Sequence, residues 1–154
     1  MKNLSIQITE IIKNEINLIN KKISGISLLE ILKYKIIDYL IDSDFNAEFV
    51  NNDVSLNESI YENDSQRFDI KLISNQSKMI NFNSEISKDT LIICIKEPID
   101  IMLEEHETKK KLNIKFFPNM GLVIPKGMNC SLNFSKNSMI LEIKSEEIIL
   151  SVEN

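Results

Sequence analysis

Few side chains in this sequence can do chemistry. There is one histidine, His106, set in the run Glu104-Glu105-His106-Glu107, one arginine, Arg67, and two cysteines, Cys94 and Cys130. Carboxylates beside an imidazole can orient it as a general base or a metal ligand. Charged runs of this kind are more often solvated hairpin tips, which is the simpler reading of His106. A thiol becomes a nucleophile or a ligand only where a cation, a helix N-terminus or a metal lowers its pKa, and the apolar neighbours of both cysteines work the other way. No Cys-x-x-Cys is formed, and in a reducing compartment the two residues read as small buried hydrophobes in place of a disulfide. The catalytic residues are thus unknown, with His106 and Cys130 the candidates. Lys109-Lys110-Lys111 is too short a basic run to make more than an anion patch, and neighbouring acids cancel most of it.

The elements that must position these residues follow from periodicity. Ile8, Ile11, Ile12, Ile16, Ile19 and Ile23 recur at steps of three and four, one stripe of an amphipathic helix, and Gly25 reads as its C-terminal stop. Ser27 and Glu30 form a capping-box pattern before a second stripe, Leu29, Leu32, Ile36 and Leu40. Residues 1–42 are therefore expected to hold a helical hairpin, packed on the core or on a dimer partner. Seven acids and no base between Asp42 and Gln66 mark 43–66 as an acidic connector, tacked down by Phe45, Phe49 and Tyr61. It lacks the Asp/Asn spacing and central glycine of a calcium hand.

From Arg67 the period changes to two. Phe68-Ile70-Leu72, Met79–Phe82, Leu91–Ile95, Ile99–Leu103, Leu112–Phe116, Gly121–Ile124, Asn129–Phe134, Met139–Ile143 and Ile148–Val152 read as short strands separated by turns. The continuous run Leu91–Ile95 is expected to be central and buried on both faces. The domain is thus mainly β over 67–154.

Composition narrows the partners. At 43% apolar and 27% charged residues the 154-residue chain can build one real core. A net charge of −5 with a single arginine disfavours nucleic acid, and a helix-turn-helix reading of the hairpin lacks both arginine and a third helix. No apolar run approaches 18 residues and no signal-like start is visible, so no membrane partner and a cytoplasmic location are expected.

Thr90 to Ile143, about a third of the chain, resembles the central and second half of a cupin. The second cupin motif is a glycine, five residues, Pro-x-Gly, two residues, a histidine, three residues and an asparagine. Pro125-Lys126-Gly127 supplies the Pro-x-Gly after the strand Gly121-Leu122-Val123-Ile124, while Asn119, Cys130 and Phe134 stand at the places of the opening glycine, the histidine and the asparagine. The histidines and glutamate of the first motif would fall on Asn83 to Ile86 and on Thr90, where no histidine occurs. The resemblance implies a double-stranded β-helix, a jelly-roll barrel, with the N-terminal hairpin added. The alternative is an antiparallel sandwich of another kind.

If Cys130 points inward like the residue it replaces, Met128, Leu132 and Phe134 share its face. The barrel interior is then expected to include Ile99, Ile101, Leu103, Leu112, Ile114, Phe116, Met139, Leu141 and Ile143, with Asp100, Asn113, Lys115, Glu142 and Lys144 facing out. Cys130, Leu132, Phe134, Ile101, Leu112, Ile114 and Leu141 are the residues that would line a site for an apolar ligand. Such an interior holds no titratable group, so the expectation is a metal-free, cofactor-free cupin-like protein that is not an enzyme. It would act by binding a small or apolar ligand or by assembling, as a homodimer. The alternatives are a metal-independent cupin-fold isomerase or epimerase using His106, and a degenerate metallo-cupin using Cys130 with Glu85 or His106.

Overall fold

The computed structural model describes residues 4–18, 25–42, 57–62, 66–74, 84–85, 88–134 and 137–147. Two helices come first, α1 (Leu4–Leu18) and α2 (Gly25–Asp42). On α1 the i, i+4 pair Ile8 and Ile12 is buried, and on α2 the stripe Leu28, Leu29, Leu32, Ile36 and Leu40. Gly25 begins α2 instead of ending α1, so the capping-box pair Ser27 and Glu30 lies within the first turns of the helix.

Among the described residues nine strands follow: β1 (Asn57–Glu62), β2 (Gln66–Ser74), β3 (Ser84–Glu85), β4 (Asp89–Lys96), β5 (Ile99–Glu104), β6 (Lys111–Phe116), β7 (Gly121–Ile124), β8 (Asn129–Phe134) and β9 (Met139–Glu147). β1 falls within the segment read as connector, where alternation is hidden by polar residues. The expected strands at 79–82 and 148–152 and the anchors Phe45 and Phe49 lie outside the described residues, as does the side chain of Tyr61.

The strands form two antiparallel sheets, one of five in the order β1-β2-β9-β4-β7 and one of four in the order β3-β8-β5-β6. The expected closed jelly-roll barrel is not what forms: among the described residues neither sheet curls onto the other, and both remain open. Among the described residues every ladder joins strands of the same sheet, and none bridges a margin of one sheet to a margin of the other, as closure requires.

The result is three layers. The helices cover one face of the five-stranded sheet and bury Phe68, Ile70, Leu72, Leu91, Ile93, Ile95, Met139, Leu141 and Ile143. Its other face carries Ile92, Cys94, Ile124 and Ile140 against Ile99, Ile101, Leu103, Phe116, Cys130, Leu132 and Phe134 of the four-stranded sheet. β4 is therefore buried on both faces, as its unbroken apolar run implies. β9 is also sandwiched, and there the expected phase is inverted: Met139, Leu141 and Ile143 look toward the helices, and Ile140 looks toward Cys130. Alternation identifies two faces of such a strand but does not say which core each one meets.

Three turns hold the strands in place. Gly127 has φ +96°, a left-handed conformation that suits glycine, and the preceding Lys126 N–H donates to Asp89 Oδ1 at 2.9 Å. Asn119 has φ +71°, and its N–H donates to the Cys94 carbonyl at 2.9 Å, beside the bulge that interrupts β4 between Cys94 and Lys96. The buried Ser138 hydroxyl donates to the Pro98 carbonyl at 3.1 Å and ties the entry of β9 to the β4–β5 turn.

Candidate functional site

Of the residues expected to line one interior, Cys130, Leu132, Phe134 and Ile101 do meet between the sheets, with Ile114 half-buried beside them. Two do not join them. Leu141 is fully buried in the helix-side core, on the far face of β9. Leu112 is 56% exposed, because β6 is the margin of its sheet and its first three residues extend past the cover of the other layer.

Both thiols sit in this inter-sheet layer. Burial pushes Cys94 up to about 12; the hydrogen bond from the backbone of Lys96 works against this, and the charge of Glu97 adds to it. The Cys94 Sγ donates to the Glu97 carbonyl at 3.1 Å. Cys130 is pushed up to about 11, by burial first and then by the Glu142 carboxylate. Both are therefore protonated near neutral pH, the unreactive form.

His106 is exposed on the β5–β6 hairpin. The tip is closed by its own bonds: Glu105 N–H to the Lys110 carbonyl and Lys109 N–H to the Glu105 carbonyl, both 3.0 Å, and the Thr108 hydroxyl to Glu105 Oε2, also 3.0 Å. Lys109 and Lys111 lie 3.9 and 3.8 Å from the Glu104 carboxylate, so the short basic run is largely neutralised at its base. His106 is thus held at the solvent-exposed tip while Cys130 is buried in the sandwich; the fold does not bring the two candidates together. The backbone of Glu85 pairs with Asn129, next to Cys130, and its side chain lies outside the description. Among the described residues, no three His, Cys, Asp or Glu side chains converge as an ion's ligands would.

The sequence reading missed a charged strip. Because β9 is inverted, Glu142 and Lys144 share the face of Ile140, and on β2 Asp69 and Lys71 share the face of Ile73. The register sets Asp69 opposite Lys144 and Lys71 opposite Glu142. Glu142 is only 15% exposed and lies 3.6 Å from Lys144, while Lys88 reaches Asp69 at 3.7 Å. Opposite charges directly across an antiparallel pair favour that register by some tenths of a kcal/mol to about 1 kcal/mol. The signal was present in the sequence, as Asp-x-Lys in one strand and Glu-x-Lys in the other, but it appears only once the two strands are paired.

On the outer face of the four-stranded sheet, Met102, Glu104, Asn129, Cys130 and Ser131 line an open depression of about 200 Å³. Met102, Glu104, Asn129 and Ser131 alternate with the inward-facing residues of β5 and β8, so this depression is separated from the inter-sheet core by the sheet itself.

No family model and no curated protein matches the chain. Solved structures do. It is similar to an RmlC-like cupin family protein with a double-stranded β-helix fold from Methanocaldococcus jannaschii, at 10% identity and TM-score 0.41, covering 64% of this chain and 85% of that one. It is similar to a cupin superfamily protein from Desulfitobacterium hafniense at 14% identity and TM-score 0.43, covering 64% and 84%. A protein from Bacillus halodurans matches at 12% identity and TM-score 0.49, covering 71% and 80%. Several of the solved structures similar to this chain are cupin-superfamily proteins.

Proposed function

We propose that this chain is a non-catalytic, cupin-like module that works by assembling with a second copy of itself. The observation that supports the non-catalytic part of this reading is the filled space between the sheets: Ile92, Ile99, Ile101, Leu132 and Ile140 are each at most 2% exposed. A substrate or apolar ligand in that space would first have to displace close-packed side chains. The enzyme alternative would have to work from His106, which its hairpin holds in solvent. The helices, the connector and the sandwich act as one unit in this reading, with expected boundaries at residues 42 and 66. Two free buried cysteines fit the cytoplasmic location it assumes. No helix of the described residues is long and apolar enough to cross a membrane.

Size-exclusion chromatography with light scattering tests the reading on the unmodified protein. The expected mass is twice that of the 17.8 kDa chain. A mass of one chain at every concentration ends it.

One observation favours a second reading, small-ligand binding: the depression lined by Met102, Glu104, Asn129 and Ser131 combines a carboxylate, an amide and a hydroxyl with an apolar floor. A panel of small amines and polyols should then raise the melting temperature of the protein and leave that of Asn129→Leu unmoved. Equal shifts in both proteins, or none, remove this reading.

A further inference from the structure

The register of β6, β5 and β8 lays out the outer face of the four-stranded sheet in rows. Lys111 of β6, Glu104 of β5 and Asn129 of β8 stand directly across from one another, and in the next row Met102 of β5 stands across from Ser131 of β8. Directly opposed residues share a face, as do residues two apart on a strand, so these five side chains belong to the outer one. The depression of about 200 Å³ opens here, with Glu104, Asn129, Met102 and Ser131 in its lining. Sites for drug-sized ligands measure roughly 300–1,000 Å³, so an occupant of this one is smaller, of the size of a simple metabolite.

Its ionic groups are left open in a particular way. Glu104 presents one carboxylate oxygen to each of two lysines, Oε1 to Lys109 at 3.9 Å and Oε2 to Lys111 at 3.8 Å. A charge-assisted hydrogen bond between such groups closes to about 2.7–2.9 Å, as Glu30 and Lys33 do on α2 at 2.7 Å. Other ion pairs of the chain are as wide, at 3.6 or 3.7 Å, but at Glu104 two ammonium groups flank one carboxylate in the wall of a depression. The Glu104 side chain is 22% exposed and those of Lys109 and Lys111 are 65% and 59% exposed, so the negative charge is the more sunken and the positive charges stand at the rim.

This arrangement of charge selects among ligands. A lone anion drawn by the lysines is repelled by Glu104, and a lone cation drawn to Glu104 meets two ammonium groups at the same spot. A neutral polyol leaves both signs unmatched. A small zwitterion matches both: its ammonium bonds Glu104, and its carboxylate accepts from the lysines at the rim and from the amide of Asn129. We infer that the depression binds a free α-amino acid with a small apolar side chain, held by Glu104, Lys109, Lys111 and Asn129 with that side chain against Met102. The inference rests on the small-ligand reading above and names the ligand class.

Isothermal titration calorimetry of the full chain tests this with leucine and its two single-charge analogues, 3-methylbutylamine and 4-methylpentanoate. Leucine should bind more tightly than either analogue by about tenfold or more, the loss expected for one charge-assisted hydrogen bond. Glu104→Gln should keep its circular dichroism spectrum, weaken leucine by about the same factor and bind 4-methylpentanoate no less tightly than before. Lys109→Gln combined with Lys111→Gln should move the preference to the amine, and His106→Ala, at the tip of the same hairpin, should bind leucine as the unmodified protein does. If the amine, the acid or a polyol binds at least as tightly as leucine, or Glu104→Gln keeps the preference for leucine, the zwitterion is wrong and the small-ligand reading stands. If leucine, its analogues and the amines and polyols above all fail to bind, both fall.

Discussion

Toward the helices, the five-stranded sheet presents Phe68, Ile70, Leu72, Leu91, Ile93, Leu141 and Ile143, without a polar break. Toward the four-stranded sheet, the same strands present Ile92, Cys94 and Ile140 together with Asp69, Lys71, Glu142 and Lys144, and Glu142 stands directly across from Ile92 of β4. The first face is apolar where the helices cover it. The second carries paired charges beside its apolar residues, with Glu142 near enough to Cys130 of the second sheet to raise its pKa. The difference follows from the cover each face receives. Two amphipathic helices lay continuous apolar stripes across the first, whereas the open second sheet leaves part of the other face wet. In an open sandwich the inner face is thus a place where ionic side chains can sit close to a hydrocarbon core without being desolvated within it.

The sharpest way to break this comparison is to exchange the chemistry of two neighbouring residues on β9. Leu141→Glu would bury an unpaired carboxylate in the closed helix-side core, at a cost of more than about 4 kcal/mol, enough to leave little folded protein. Glu142→Leu, one residue away, should change stability by no more than about 1 kcal/mol, since it removes a partly exposed ion pair. Chemical denaturation of the two variants checks both values. Comparable losses would mean that the two faces of β9 are not as different as the structure makes them.

That contrast also separates what the sequence made legible from what it did not. The seven strands from β2 to β9, β3 apart, were readable because turn-forming residues bound either a period-two alternation, as in β2, β5 and β6, or a short continuous apolar run, as in β4 and β7, and the bounds of β7 and β8 agree to the residue. The helical stripes were legible because their apolar residues recur at steps of three and four. β1 and β3 were not, since neither carries an apolar alternation. The direction of β9 was hidden for a different reason: a strand with a core on each side reads Met139, Ile140, Leu141 as apolar throughout, and the choice of face depends on tertiary neighbours. The position of Leu141 and the charged strip followed from that one choice. Closure was beyond reach too, because barrel and open sandwich share a strand order and differ in ladders at their margins.

A second test asks how dry the inter-sheet side is where both thiols lie. Their pKa values in the folded state are raised above the ordinary 9.0, to about 12 for Cys94 and about 11 for Cys130. Below pH 9 the thiols are protonated in folded and unfolded chains alike, and the stability associated with burying them is fully present. As pH rises from 9 toward 12 the unfolded chain ionises first, so stability falls, by about 1.4 kcal/mol per pH unit for each thiol that remains protonated only when folded. The useful quantity is a difference between two proteins, in which contributions common to both cancel. Urea denaturation at pH 8.5, 9.5 and 10.5 should show a shallower decline for Cys94→Ala than for the unmodified protein. Parallel declines would mean that water reaches Cys94 in the folded state.

The smallest effects belong to the backbone at the turns that frame the sandwich, and they bear on the cupin resemblance most directly. Asn119 occupies the place of the motif's opening glycine and has φ +71°, a left-handed conformation, while Gly127 keeps the glycine and has φ +96°. This chain therefore holds a left-handed backbone at both positions, with asparagine at one and glycine at the other. Nothing lies within 4 Å of a Cβ built on Gly127, so Gly127→Ala isolates the torsional penalty and should cost about 1 kcal/mol. Asparagine tolerates the left-handed region better than other residues, since its short side chain can bond locally. Asn119→Gly would relieve what strain remains but loosen the unfolded chain by about 0.4–1 kcal/mol, so the two contributions nearly cancel and a net change of a few tenths is expected. Asn119→Ala has neither compensation and should lose about 1 kcal/mol, matching Gly127→Ala. If alanine is as well tolerated as asparagine at 119, the backbone there is not held left-handed, and the Asn119 N–H bond to Cys94 that anchors the start of β7 would have to be formed in some other way.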